Sequence, residues 1–584
     1  MTLPASDSPL KLHPDKKLAG ILAPLFAIRG EADLGIGDTR TLRELGLWAK
    51  ENGFGVLQIL PFNETSGDNS PYNIISAFAI EPSTISTSPE DLLDLKAEDF
   101  NRACKLHNVE KLKTGDVNYA GVKALKWSLL HSAFKNFARN DLAKKTKHAR
   151  AFASFLKENK DWIAPYALFR TFMEIHHHSE VTDTWPEPQR TYRTAVKWLE
   201  KQSATTRKKI RHISEFYSYV QWVAHRQWED THHFLTSIGV ALIGDVPVGV
   251  SLYSADVFAE PEIFDLTRSA GAPPEKVFKT DPFTEKWGQN WGFPLYKWEA
   301  MARDDYAWWR RRLRAMRKHF HFLRLDHALG FFRIYSFPWR PQQNAEFLPL
   351  SATEAKAKAG NRLPCFMMRD DSSPENQELN REQGETLFSM ILEETEKFHL
   401  IAEDLGALSL YVRPVLEKLE IPGFKIPQWE RSPDNRITPG QNYPRISITT
   451  YATHDHEPVR KFWDEWFTDS QQGGDRYKAA TYHMRELLDF TEHPEITVPQ
   501  EFTEEIHLAM VTGLFKTNAW LAVHMVTDLF GLSDQFNAPG KVSSDNWTHR
   551  LEEPVSGWSA RWSSILPKIK DSLKETDRLP IVNK

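Results

Sequence analysis

Three short stretches hold acids placed to do chemistry: Arg324-Leu-Asp-His327, Ala402-Glu-Asp-Leu-Gly406 and Thr453-His-Asp455. Each follows an apolar run (residues 321–323, 398–401 and 446–451), so Asp326, Glu403 and Asp455 fall where a strand gives way to a loop. A parallel barrel builds its active site at such strand ends, taking groups from several of them. Two carboxylates flanking a bond suit retaining glycoside chemistry, one attacking and the other protonating the leaving oxygen; a third can grip the sugar. Arg324 lies two residues before Asp326 and therefore on the same face of a strand, where its guanidinium favours the ionised carboxylate. An isolated Arg-x-Asp would instead read as a structural ion pair.

The elements that must position these acids read as an eight-stranded α/β barrel. Residues 18–27 and 55–61 form two buried strands around a helical pattern at 39–52, a βαβ opening. Residues 241–248 give a third strand with Asp245 at its mouth; a helix at 304–320 leads into the strand that ends at Asp326. Strands at 398–402, 423–428, 446–452 and 521–527 complete eight. The expected fold is a (β/α)8 TIM barrel with inserted, mainly helical subdomains. Its first part is 18–81, a helical insertion occupies 82–235, and the remainder is 236–584. Within that insertion, helices are predicted at 141–157, 162–176 and 191–235. A Pro-, Gly- and aromatic-rich stretch, 249–298, is too long for an ordinary loop and reads as a lid. Residues 340–384 read as a polar insertion, and 558–584 carries a closing helical pattern.

Bulk properties exclude several function classes. A net charge of −5 over 584 residues offers no basic footprint for nucleic acid and no attraction to an anionic membrane. Cys104 and Cys365 are the only cysteines, so a disulfide framework is not expected and a reducing compartment is favoured. Residues 1–17 are polar, without the apolar core of a secretory signal, and no apolar run reaches membrane-spanning length. The expectation is a cytoplasmic protein. Twenty tryptophans supply flat faces of the kind that cover sugar rings, although most rings in a large enzyme are core.

The acid motifs, in this order, resemble the 4-α-glucanotransferases, the amylomaltases or disproportionating enzymes of the α-amylase clan. The resemblance extends through Gly35-Ile-Gly-Asp38, Leu57-Gln-Ile-Leu-Pro61, Ser70-Pro-Tyr72 and Ser76-Ala-Phe-Ala79. It continues with Gly244-Asp-Val-Pro247, Gly288-Gln-Asn-Trp-Gly292, Asn537-Ala-Pro-Gly540 and Asn546-Trp547. Asn290 to Pro294, Asp305 to Trp309 and Gly330 to Ile334 look most like the branch with the plant cytosolic disproportionating enzyme.

This resemblance implies that Asp326 is the nucleophile, Glu403 the acid and then base, and Asp455 the carboxylate that holds hydroxyls beside the anomeric centre. It implies sugar-binding roles for Tyr72, Asp245, Gln289, Trp291, Arg324, His327, His454 and Asn537. Asp404 is a confounder beside Glu403, and strand alternation sends it the other way. The chain departs from the family pattern at Asn73, where glutamine is usual, and in a longer segment from Glu275 to Trp287. The implied substrates are α-1,4-glucans and maltooligosaccharides, with glucose as an acceptor, and no cofactor or metal is implied. Two rivals stay open: an α-glucan hydrolase of the same clan, and a catalytically silent glucan-binding protein. The His176-His-His178 and His232-His233 runs and the Arg310-Arg-Arg312 run read as solvated faces, and no phosphate-cradling glycine loop or nucleophile elbow is present.

Overall fold

Eight parallel strands close into one barrel in which sequence neighbours are spatial neighbours all the way round. They are β1 (Leu18–Leu22), β2 (Val56–Gln58), β3 (Ala241–Val246), β4 (Phe322–Leu325), β5 (Leu400–Ala402), β6 (Gly423–Lys425), β7 (Ser447–Thr449) and β8 (Leu521–Met525). The computed structural model describes residues 10, 12–65, 67–275, 281–406, 408–538 and 545–580. All eight expected strands are present but shorter, and proline accounts for two of the early stops. The ladder of β1 ends before Pro24, which has no N–H to donate, and residues 25–27 turn into a 3-10 helix. Pro427 lies just past β6. Beyond β8 the chain turns directly into the helix Val526–Phe530.

Helix Thr39–Glu51 joins β1 to β2, and the Gly35 to Asp38 motif explains its start. Gly35 has φ +100, and the Asp38 carboxylate accepts from the N–H groups of Arg40 and Thr41. Buried Lys126 lies 3.4 Å from Asp38 and donates to the carbonyls of Ser83 and Ile85. This family motif is a structural junction and does not line the cavity that holds the acids.

Between β2 and β3 the chain is helical. The pattern expected at 191–235 is two helices, Tyr192–Glu200 and Ala204–Ile238, because Ser203 caps the second by accepting from the N–H of Thr206. The 35-residue helix ends at Gly239 in the left-handed conformation, and only Gly239 and Val240 separate it from β3. One apolar cluster runs from the barrel into these helices, with Phe62 against Trp228 and Phe78 against Trp162.

The lid-like stretch and the polar insertion fold together. Strands Ser269–Ala272 and Gln289–Asn290 from the first join Ile334–Phe337 and Cys365–Met367 in a four-stranded antiparallel sheet. A second apolar cluster lies under it, formed by Phe283, Trp287, Phe337, Trp339, Phe347 and Ala355. These aromatics are scattered between Phe283 and Phe347 with a barrel strand and helices between them, so no periodic pattern announced a shared core. Residues 276–280, within the longer segment noted above, lie outside the described residues, as do Pro539 and Gly540.

Two surface readings are corrected by packing. Arg312 is fully buried between the faces of Trp308 and Trp309 and donates to the carbonyl of Pro247; Arg310 pairs with Glu393 and Glu394, and Arg311 with Glu260. His232 is half-buried against His321, with ring centroids 4.1 Å apart, and His176 stacks on Trp185. His177, His178 and His233 are exposed as expected. Among the described residues no group of His, Cys, Asp and Glu could hold a metal ion, and Cys104 and Cys365 are free.

Candidate active site

Strand register brings the first pair of charges together. Asp245 on β3 and Arg324 on β4 are direct partners across the ladder. The Arg324 Nη1 donates to both Asp245 oxygens at 2.7 Å and to Asp326 Oδ1 at 3.1 Å. Arg324 and Asp245 are both buried. Burial works against the guanidinium charge, but Asp245 above all, with Tyr72, Asp326 and Glu403, raises its pKa well above the ordinary value. Burial also pushes the Asp245 carboxyl up against the pull of Arg324.

Asp326 sits one residue past β4, where its N–H donates to Val246 O at 3.1 Å. Glu403 sits one residue past β5, and its Oε2 accepts from the backbone N–H of His327 at 2.8 Å. Its pKa is raised well above the carboxylate range, first by burial and then by the Asp326 charge, which outweigh Arg324. Asp326 thus lies beside a cation, whereas the site of Glu403 favours its acid form. Asp404 is buried and turned away, accepting from the N–H of Phe424 at 2.6 Å and from Arg413.

Asp455 follows β7 and is held from two sides, with His454 Nε2 at 3.2 Å from Oδ2 and Asn537 Nδ2 donating to Oδ1 at 2.6 Å. Burial alone would raise its carboxyl; His454, Asn537 and His456 overcome that and hold it well below the usual range. Tyr72 donates its hydroxyl to Asp245 Oδ2 at 2.7 Å and stacks on the His454 ring at 5.0 Å. Burial, then Asp245, keeps it a neutral phenol. His327 is lowered to about 4 by burial, so it is neutral at physiological pH. Trp291 lies edge-on to His327 at 4.8 Å and donates its Nε1 to Gln289 Oε1, while the Gln289 amide donates to Glu275. Gly288 and Gly292, on either side of this pair, have φ values of +99 and +93, which glycine alone adopts without strain.

These groups surround a cavity of about 780 Å³ lined by Tyr72, Gln289, Trp291, Arg324, Asp326, His327, Glu403 and Asp455. Asp245, His454 and Asn537 support that lining from behind through the bonds given above. Other lining residues went unread in the sequence. His456 was legible in principle, lying two residues past His454; it is neutral, lowered to about 4 by burial. Tyr335 and Phe366 gave no signal, because pairing with a strand of the polar insertion brings them together; Arg333 lies within the Gly330 to Ile334 motif and Trp429 four residues past β6. Two braces behind Asp326 were equally silent: Tyr296 donates to Val248 O at 2.9 Å and Arg312 to Pro247 O at 2.8 Å.

A closed parallel barrel carrying a carboxylate bonded to an arginine, a second in surroundings that favour its acid form and a third acid around one cavity at its C-terminal rim has the build of a glycoside-processing enzyme. The 4-alpha-glucanotransferase family model of glycoside hydrolase family 77 matches residues 23–556, and the chain belongs to that family of glucan-transferring enzymes. A 4-alpha-glucanotransferase of Chlamydia pneumoniae is 29% identical over 91% of each chain. The 4-alpha-glucanotransferase DPE2 of Oryza sativa is 34% identical over 57% of this chain and 34% of its own. An amylomaltase from Streptococcus agalactiae, solved with acarbose, shares the fold with a TM-score of 0.72 and 22% identity, covering 96% of this chain and all of its own.

Proposed function

We propose that the protein transfers a segment of an α-1,4-glucan to the 4-hydroxyl of glucose or of another glucan, with retention at the anomeric carbon. Asp326 attacks that carbon as the glycosidic C–O bond breaks, and Glu403 gives its proton to the departing oxygen. Glu403, now a carboxylate, takes the proton of the acceptor 4-hydroxyl; that oxygen attacks the anomeric carbon and frees Asp326. Asp455, positioned by His454, holds ring hydroxyls, Tyr72 covers one sugar face and Trp291 another. The rim carries more negative than positive charge, which favours an oxocarbenium-like transition state over the neutral substrate.

The observation that carries this reading is the placing of two carboxylates on one cavity, Asp326 bonded to Arg324 and Glu403 in surroundings that raise its pKa by burial and by the Asp326 charge. No described helix is long and apolar enough to cross a membrane. With two free cysteines and no basic footprint, we assign the protein to the cytoplasm and to maltose, starch or glycogen metabolism.

Incubation with maltotriose tests the reading. Transfer yields glucose together with oligomers longer than the starting sugar. New reducing ends without longer products would mark a hydrolase, and no turnover of any glucan a binding protein.

A further inference from the structure

The segment that follows β4 grips Glu403 by its main chain. Leu325 and Ala402 are the last partners on the ladder between β4 and β5. Beyond them the Glu403 N–H donates to Leu325 O at 3.0 Å, and the Ala328 N–H donates back to Glu403 O at 3.0 Å. His327 lies between those bonds with φ +43 and ψ +55, in the left-handed region that few residues with a side chain adopt. Its N–H meets Glu403 Oε2 at 2.8 Å, and its carbonyl accepts from the Gly330 N–H, which closes the turn. Residues 325–328 thus hold Glu403 at its N–H, its carbonyl and one carboxyl oxygen, and the third hold depends on the reversal at His327.

We propose that His327 is a positioning residue for the acid through its main chain: the left-handed turn fixes an N–H on Glu403 Oε2 and so assigns to the other oxygen, Oε1, the proton that passes to the departing glycosidic oxygen. This rests on the reading of Glu403 as the acid and then the base. A protonated carboxyl has one oxygen that carries the O–H and one that only accepts. An N–H held on Oε2 needs a lone pair there, so the O–H is on Oε1. When the glycosidic C–O bond breaks, its electron pair goes to the departing oxygen, which takes the proton from Oε1. The His327 N–H then bonds to the carboxylate left behind, until the acceptor hydroxyl returns a proton to Oε1. Arg324 and Asp326 face Glu403 from the end of β4, and Asp455 from beyond β7. Burial and the two acids favour the protonated form, whereas Arg324 and the His327 amide favour the charged one. The imidazole of His327 takes no part in this.

The test compares kcat/KM for maltotriose and for maltosyl fluoride as donors, because only the first needs a proton on its leaving group. His327→Asn and His327→Gly lack the ring but accept the left-handed conformation, and should keep the maltotriose-to-fluoride ratio within about threefold of the parent chain. His327→Val is β-branched and disfavours that conformation, and should lower the ratio by about tenfold or more, within the range of general-acid catalysis. Its alkaline limb with maltotriose should also move to higher pH, since the Glu403 carboxylate has lost a donor and holds its proton longer; a merely structural defect would not move that limb. Thermal unfolding reports whether each variant folds, and His327→Ala, which opposes the turn less strongly, replaces Val if Val does not fold, with a fall of at least about threefold. An unchanged ratio in the folded Val or Ala variant, or equal falls in the Asn, Gly and Val variants, overturns the main-chain role. Glu403→Gln separates this from failure of the underlying reading: equal damage with both donors there removes Glu403 as the acid, whereas damage confined to maltotriose keeps that reading and leaves His327 to be judged by its own variants.

Discussion

The two ends of the barrel each bury an arginine, and they treat it in opposite ways. At the carboxyl rim Arg324 is bonded to Asp245 and Asp326, and Asp326, Glu403 and Asp455 share one open cavity. At the amino floor Arg578, fully buried, spends its guanidinium on the carbonyls of Leu18, Phe515, Thr517, Ala519 and Trp520, with no carboxylate hydrogen-bonded to it among the described residues. That collar gathers the starts of β1 and β8 and the chain leading into β8. Buried charge by itself therefore does not mark a functional site. Neutral carbonyls satisfy a charge and leave nothing over, whereas the rim keeps surplus carboxylate beside empty space, where a substrate can respond to it.

The sharpest way to break this contrast is at Asp326. Asp326→Ala should cut the transfer rate by at least about 10²-fold while glucan binding stays measurable, since an essential group acts on the transition state more than on the ground state. A folded variant that keeps a tenth of the rate would place the nucleophile elsewhere. Glu403→Gln should be nearly as damaging with maltotriose and far milder with a glycosyl fluoride, whose leaving group needs no proton. Because Glu403 must be protonated to act and its pKa is raised, transfer from maltotriose should fall as pH rises through that raised value. The Gln variant should lose this alkaline limb; equal damage with both donors would remove Glu403 from the acid role.

Arg578→Met probes the floor. Losing the donor to several buried carbonyls should cost about 2 kcal/mol or more of stability, seen as a lowered Tm, with kcat/KM at permissive temperature within about twofold of the parent. A specific fall in kcat without a change in Tm would erase the distinction between the two ends.

Local sequence carried much of this. An acid shortly after the end of an apolar run of strand length is a one-dimensional signal, so Asp326, Glu403 and Asp455 were legible along with the eight strands that present them. Strand alternation also separated Glu403 from Asp404, because direction flips with each residue. The Asp38 cap and the Ser203 break were written in local residue types, though the break was not read as one. What the chain alone could not decide was partnership across long separations. Arg312 was a cation in a basic run until tryptophans and the Pro247 carbonyl enclosed it, and Phe366 was a lone aromatic in polar sequence until strand pairing set it beside Tyr335. The raised pKa of Glu403 likewise depends on burial and on the nearby Asp326 charge, properties of packed space rather than of residue order. Sequence periodicity encodes which face a residue takes on its own element; which other element meets that face is set only when the barrel closes.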